Sequence, residues 1–198
     1  MRTFIITCAI AAYSTGVSAA DLRYLGMNVG GSPVVAIVGE LERADIERFA
    51  DVTRNLEEVL VLFESDGGDL EAGLEIGTRI RLRGFSSVVA NGRQCHSACA
   101  LAWLGGVTRL LGDSAIVSFH AAYIVENGIA QETGSGNALV GAYAANLGLQ
   151  RDTVLFLTTA NPEEFNVLTP DLANKLGLTV TFGDTTWIQI VSPTDDLK

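Results

Sequence analysis

Apolar residues fall into short continuous runs that are separated by amphipathic stretches. Continuous runs rich in β-branched residues are typical of strands buried on both faces. Stretches with apolar residues three or four positions apart are typical of helices that pack one face on a core. The predicted strands are 33–38, 59–63, 86–90, 108–111, 115–119 and 186–191. The predicted helices are 44–52, 70–82, 98–104, 137–147, 152–159 and 170–176.

This order of elements predicts one α/β domain over residues 21–198. Strands that alternate with helices and are apolar throughout indicate a mostly parallel sheet flanked by helices. No internal repeat or linker divides the chain. Residues 22–32 are predicted to be an irregular lead-in. Residues 126–136 are polar and glycine-rich, and they are predicted to form a mobile loop.

The first twenty residues have the pattern of a secretory signal peptide. A basic Arg2 precedes the apolar stretch 3–13, and small residues follow up to Ala19 and Ala20, where cleavage is predicted. The apolar stretch is shorter than the ~20 residues that cross a bilayer, so cleavage is favoured over a membrane anchor. The sequence therefore predicts a periplasmic or secreted protein that is free of the membrane once residues 1–20 are removed.

Composition narrows the classes of partner and cofactor. Apolar residues make up 48% of the 198 residues, charged residues make up 18%, and the net charge is −10. A globular protein is expected, and this acidity argues against nucleic acid as a partner. Removal of Cys8 with the signal leaves Cys95 and Cys99, for which a disulfide and a buried free pair are equally open. Neither histidine has a recognised zinc spacing, so no metal is expected. No cofactor is predicted.

Three segments that each follow a predicted strand could meet at one edge of the sheet. Ser97 begins a helix, where it could cap the helix or act as a nucleophile. His120 is the obvious base for that hydroxyl, although a buried structural histidine is the alternative. Gly67 or Gly68, together with Ala98, could supply backbone N–H groups for an oxyanion, and a simple glycine turn is the alternative.

These residues carry a resemblance to a known family. The motifs are Val38-Gly39-Glu40, Ser65-Asp66-Gly67-Gly68 with Ala72-Gly73, Cys95-His96-Ser97-Ala98-Cys99-Ala100, Ser118-Phe119-His120, and the closing segment 168–178. In this combination and order, residues 33–178 are similar to the proteolytic subunit of Clp protease, within the ClpP/crotonase fold. The chain looks most like secreted bacterial ClpP-like proteins that carry a signal peptide and a C-x-S-A-C segment.

The resemblance implies a serine peptidase and a set of partners. It implies Ser97 as nucleophile, His120 as general base, and Gly68 with Ala98 as oxyanion donors. It implies that residues 126–165 correspond to a handle-like oligomerisation region, so a homo-oligomer is expected. The expected substrate is a peptide or an unfolded protein. An ATPase partner is not expected, because ATP-driven unfolding does not operate outside the cytoplasm.

Two positions depart from the family pattern. The family has an aspartate, the third catalytic group, where this chain has Phe165. Nearby groups that could orient His120 instead are Glu164, which is the first choice, and Glu163, Asn166 and Asp171. Asp66 replaces a proline and adds a negative charge beside the expected oxyanion site.

The sequence and the resemblance together predict a secreted, ATP-independent ClpP-like serine hydrolase, most simply a peptidase. The departures at Phe165 and Asp66 favour one alternative, a catalytically silent binding or assembly protein on the same fold. A further alternative is a crotonase-type acyl-thioester enzyme, since the fold and the oxyanion site are shared. It is the weakest of the three, because a secreted protein meets little coenzyme A.

Overall fold

The structure is a computed structural model that describes residues 19–188, 190 and 191. The predicted signal peptide lies almost entirely outside the described residues, and it stays a prediction. Among the described residues, none of the helices has the length and the apolarity that a bilayer crossing requires.

Twelve strands and six helices make up the described part of the chain. The strands are β1 Asp21–Asn28, β2 Pro33–Val38, β3 Leu60–Glu64, β4 Ser86–Val89, β5 Gln94–His96, β6 Arg109–Gly112, β7 Ile116–Phe119, β8 Tyr123–Glu126, β9 Ile129–Glu132, β10 Asn166–Val167, β11 Thr181–Gly183 and β12 Ile190–Val191. The helices are α1 Asp45–Thr53, α2 Leu70–Leu82, α3 Ala98–Leu104, α4 Gly134–Asn146, α5 Arg151–Thr158 and α6 Pro170–Lys175.

The main sheet has seven strands in the order β11-β6-β4-β3-β2-β1-β12. The four pairings from β11 to β2 are parallel, and β1 is antiparallel to both β2 and β12. The predicted α/β class with a mostly parallel sheet flanked by helices is therefore confirmed. The apolar runs form the central strands, since Val35, Ile37 and Val61 are completely buried.

A second sheet carries the site. Its order is β10-β7-β5, with β5 parallel and β10 antiparallel to β7. It joins the end of β3, because Ser65 N–H donates to the Gln94 carbonyl and His96 N–H donates to the Ser65 carbonyl. The end of β3 and the end of β5 are thereby fixed side by side.

Helix α3 lies in the centre of the core. All seven of its residues are buried, including Trp103 and Leu104. Its small residues let α2 approach closely: a Cβ on Gly105 would lie 2.1 Å from the carbonyl oxygen of Gly77. The position of the residue at the start of α3 is therefore set by packing on all sides.

Three predictions of secondary structure are wrong. Residues 22–32 are not irregular, because β1 pairs with β2 along most of its length; its mostly exposed residues gave no apolar run. The polar stretch 126–136 is not a loop but completes the β8–β9 hairpin and begins α4. Asn127 and Gly128 form its two-residue turn with positive φ, which is a strong hairpin signal. The last strand spans only Ile190–Val191, and Thr181–Gly183 was missed.

Candidate functional site

The separate predicted segments meet at one cleft of about 1000 Å³. Ser97 and Ala98 reach it from the β5–α3 junction, Gly67 and Gly68 from the turn after β3, and His120 from the end of β7. The structure thus brings together the residues expected to act as nucleophile, base and oxyanion donors. Their chemical roles stay predictions.

Ser97 lies at a sharp turn between β5 and α3. Its φ of 54° and ψ of −123° are unusual for a residue with a side chain, and its hydroxyl makes no capping hydrogen bond to the helix. Such strained backbone is common at functional sites and needs support from its surroundings. Here Ser97 N–H donates to the Ser118 carbonyl at 3.0 Å. The helix-cap interpretation of this serine is not what the structure shows, and no hydrogen bond of its hydroxyl is present within residues 19–188.

A disulfide brackets that turn. Cys95 on β5 and Cys99 on α3 are bonded to each other, their Cα atoms are 5.3 Å apart, and both are completely buried. Of the two alternatives that the sequence left open, the structure has the bridge. The bridge ties the strand before Ser97 to the helix after it.

The glycine turn after β3 has a conformation and a crowding that exclude side chains. Gly67 and Gly68 have φ of 113° and 130°. A Cβ on Gly67 would lie 2.8 Å from the Cβ of Ser97, and one on Gly68 would lie 2.2 Å from the carbonyl oxygen of Leu41. Only glycine fits there, and the turn lies directly against the serine.

The hydrogen bonds of the turn distinguish Gly67 from Gly68 as candidate oxyanion donors. Gly67 N–H donates to the hydroxyl oxygen of Ser65 at 3.0 Å, so this N–H already has an acceptor, and a role for Gly67 as an oxyanion donor stays a prediction. Among the described residues, none accepts from the N–H of Gly68 or of Ala98. Both residues line the same cleft, and they are the pair implied by the family resemblance.

His120 is held by the backbone. Its Nδ1 lies 2.7 Å from the carbonyl oxygen of Ala121, which can only accept, so Nδ1 carries the proton. In the neutral ring Nε2 then has the free lone pair that a general base needs. No hydrogen bond between Ser97 and His120 is present in the described part of the chain. Catalytic hydrogen bonds are often long before substrate binds.

The expected third catalytic group is not found at the ring. Among the described residues, no hydrogen bond links His120 to Glu163, Glu164, Asn166 or Asp171. Glu164 accepts from the Asn161 amide at 3.1 Å, and the Asn166 amide donates to the Phe156 carbonyl at 2.8 Å. Glu163 and Asp171 are exposed. The orienting group is instead the Ala121 carbonyl, which sequence reasoning missed because a backbone acceptor leaves no mark in the sequence.

Phe165 takes the place next to the imidazole. Its ring centroid is 5.3 Å from that of His120, edge to face, and 5.0 Å from that of His96. The Nδ1 of His96 shares a 2.5 Å hydrogen bond with the buried hydroxyl of Ser118. Burial lowers the pKa of His96, the nearby His120 lowers it further, and Asp66 opposes both. Sequence reasoning gave His96 no role, although its place directly before Ser97 was a signal.

The rim of the cleft near the glycine turn is acidic. Asp66 accepts from the Gln94 amide at 2.7 Å, and Glu64 is paired with Arg93. Within the described residues, no group of three histidine, cysteine or carboxylate side chains could hold a metal ion.

Comparison with known proteins identifies the fold. No protein-family model matches the chain, and no curated protein matches it. Among solved structures, it is similar to an asparagine-to-aspartate mutant of ClpP1 from Listeria monocytogenes, with a TM-score of 0.58 and 16% identity over 79% of this chain and 94% of that chain.

It is also similar to the 1510-N membrane-bound stomatin-specific protease. A serine-to-alanine mutant of that protease has a TM-score of 0.56 and 18% identity over 74% of this chain and 76% of that one. A lysine-to-alanine mutant in complex with a substrate peptide has a TM-score of 0.51 and 19% identity over 70% and 67%. At these identities the likeness establishes the fold alone, and the fold is that of ClpP-like serine proteases.

Proposed function

We propose that the protein is a secreted serine hydrolase that cleaves peptide bonds and works without an ATPase partner. The observation that carries this proposal is that Ser97, on strained backbone, lines the same cleft as His120, Gly68 and Ala98, and that the N–H groups of the last two have no acceptor within the described residues. The signal-peptide pattern of residues 1–20 supports action in the periplasm or outside the cell.

The reaction would begin with the Ser97 hydroxyl. Its Oγ attacks the peptide carbonyl carbon, and Nε2 of His120 takes the hydroxyl proton. The carbonyl oxygen becomes negative and accepts hydrogen bonds from the N–H groups of Gly68 and Ala98. His120 then gives the proton to the leaving amine, and an acyl-enzyme remains. A water molecule then attacks the acyl carbonyl carbon while His120 takes a proton from the water. His120 gives that proton to Oγ of Ser97 as the acyl bond breaks, which frees the acid product and Ser97.

The rate should be modest. A buried carboxylate beside the histidine normally stabilises the imidazolium that forms in each step. Here the Ala121 carbonyl offers only a dipole, and Phe165 occupies the neighbouring space. We therefore expect slower turnover than a complete triad would support.

The cleft favours an extended, partly apolar substrate. Its apolar lining residues include Leu70, Leu101 and Val140. A short or unfolded peptide could place an apolar side chain there.

Exposed apolar residues on the β8–β9 hairpin, such as Val125 and Ile129, support the proposal of a homo-oligomer.

Labelling with a fluorophosphonate tests the proposal. The probe should react with Ser97 in the folded protein, and Ser97→Ala should abolish labelling and hydrolysis of unstructured peptides. Ser32→Ala is the control, because Ser32 lies in the β1–β2 turn, does not line the cleft, and has a hydroxyl that makes no hydrogen bond among the described residues. Folded protein that is never labelled would overturn the hydrolase proposal.

A second candidate is a catalytically silent binding or assembly protein. The observation in its favour is that the ring of Phe165 stands beside His120 where a carboxylate would complete a triad. Under this alternative, Ser97→Ala leaves the biological role intact and the wild-type protein is not labelled.

A further inference from the structure

Three aromatic rings cluster near the start of α3. The Phe165 ring contacts both His96 and His120, at 5.0 Å and 5.3 Å between centroids. The Tyr123 ring lies on His120 as well, at 5.3 Å. The hydrolase chemistry proposed above uses only one of these four side chains.

The small sheet explains why the rings meet. Phe119 on β7 pairs with Asn166 on β10, so the next residues outward, His120 and Phe165, lie opposite each other. On the other side of β7, His96 pairs with Ser118 in parallel register. Three neighbouring strands thus deliver the three rings to one end of the sheet.

The His96 ring is held in place by a hydrogen bond. Its Nδ1 shares a hydrogen bond with the hydroxyl of Ser118, a residue that is completely buried on the central strand of the small sheet. Its ring therefore has one preferred orientation. Phe165, which is itself half exposed, packs against that fixed ring.

His120 needs such support. Among the described residues, its ring has one hydrogen bond, from Nδ1 to the carbonyl of the next residue, Ala121. That bond holds one ring nitrogen but does not by itself fix the tilt of the ring, and a change of tilt would move Nε2 relative to the serine. An aromatic edge against the ring face favours one orientation. Small misplacements of a catalytic group can cost large factors in rate.

We propose that Phe165 and His96 are positioning residues for His120, with Phe165 holding the imidazole on the Ala121 carbonyl and His96 holding Phe165. This inference rests on the proposed hydrolase function. It gives a structural role to Phe165, the residue at the position of the expected carboxylate: packing of the aromatic rings restricts the orientation of the His120 imidazole.

Substitution of Phe165 tests the first part. Phe165→Leu keeps an apolar side chain but removes the ring, and it should lower kcat on an unstructured peptide about tenfold while KM changes less than about twofold. Phe165→Tyr should keep most of the activity. Phe156→Leu is the matched control, because the Phe156 ring packs on Phe119 and, among the described residues, has no ring contact with either histidine. Its kcat should equal that of the wild type.

A double variant tests the part of His96. His96→Ala should lower kcat through loss of support for Phe165, and the double variant His96→Ala, Phe165→Leu should lose no more than Phe165→Leu alone. Residues that act as one unit show this non-additivity. Fully additive losses would overturn the role of His96. A rise in KM at unchanged kcat in Phe165→Leu would make Phe165 a substrate contact and overturn the proposal.

NMR separates failure of this inference from failure of the proposed function. The chain has 2 histidines, so the ring nitrogen spectrum contains two imidazoles, and His96→Ala identifies His120. His120 should be protonated at Nδ1 in the wild type and should become a mixture of both tautomers in Phe165→Leu. Unlabelled Ser97 would overturn the hydrolase proposal whatever the NMR shows. An unchanged His120 tautomer in Phe165→Leu would overturn the inference even in an active enzyme.

Discussion

Gly73 on α2 touches the backbone of Ala98 at the start of α3. A Cβ atom at position 73 would lie 2.4 Å from the carbonyl oxygen of Ala98. Ala98 follows Ser97 directly, and its N–H has no acceptor in the part of the chain that the structure describes. The absence of a side chain at position 73 therefore lets α2 pack directly on the turn that carries Ser97.

Gly73→Ala should harm both stability and reactivity. The added methyl group must push α2 and α3 apart, and overpacking of this kind costs about 1–3 kcal/mol. The gain of about 1 kcal/mol that alanine brings to a helix offsets part of this cost. The free energy of unfolding in urea should fall by the remainder, and fluorophosphonate labelling of Ser97 should slow.

Gly141→Ala is the matched control for Gly73→Ala. Its Cβ would lie 3.7 Å from a methyl group of Val154, an ordinary contact, and both glycines are inside helices. Alanine favours a helix over glycine by about 1 kcal/mol, so this variant should be more stable and label normally. Equal stability of the two variants would show that α2 and α3 are not in contact through Gly73.

The Cys95–Cys99 disulfide should support the strained backbone of Ser97. Replacement of both cysteines by alanine removes a bridge that closes a very short loop, which the chain-entropy relation values at about 2 kcal/mol. The free energy of unfolding should fall by that amount, and labelling of Ser97 should slow.

A reducing agent supplies the control for the disulfide. It should lower the thermal midpoint of the wild-type protein and leave the double alanine variant unchanged. A wild-type protein that is indifferent to a reductant under conditions that break the bridge would contradict the supporting role.

Much of the fold could be predicted because the parallel strands are apolar throughout. Helix α2 was predicted with the observed bounds, Leu70–Leu82, and helix α3 with the bounds Ala98–Leu104. Strand β1 was missed because its side chains are mostly exposed and give no apolar run. The pattern of apolar residues in a sequence reflects burial, so a strand with little buried apolar surface is hard to predict from it.

The residues of the candidate site also differ in how far they could be predicted from the sequence. Ser97, His120 and Gly68 could be found because each follows a strand and the carboxyl ends of parallel strands meet at one edge. Ala121 could not be found, since its contribution is a carbonyl that every residue has. The role of Gly67 was unclear from the sequence, because only its hydrogen bond to Ser65 distinguishes it from Gly68.

Ser65→Ala should loosen the glycine turn. Its hydroxyl oxygen accepts from Gly67 N–H, and Ser65 is almost completely buried. A buried donor without a partner costs about 1–3 kcal/mol, and a turn that relaxes to satisfy it would move the neighbouring Gly68 N–H. We expect a loss of stability of that size and labelling of Ser97 that is slower by about 10²-fold or less, the scale of one lost oxyanion donor.

Asn28→Ala separates stability from reactivity in that experiment. The Asn28 side chain accepts from Ser32 N–H at 2.9 Å in the turn between β1 and β2, and it is buried to a similar degree. This variant should lose comparable stability and label at the wild-type rate. If Ser65→Ala also labels at the wild-type rate, the turn does not set the oxyanion donor.

Stability should depend on pH through His96. Burial is the main cause that lowers its pKa in the folded protein, so the unfolded chain, where a histidine has a pKa near about 6.5, binds more protons in the interval below that value. The free energy of unfolding therefore rises with pH across the interval. The contribution of His96 is complete above about pH 6.5 and is lost as the pH falls toward the lowered pKa.

His96→Gln has no such group, so the wild type should lose stability relative to this variant between pH 7.5 and pH 5 in urea unfolding. Parallel pH dependences in the two proteins would mean that His96 is as well solvated when folded as when unfolded.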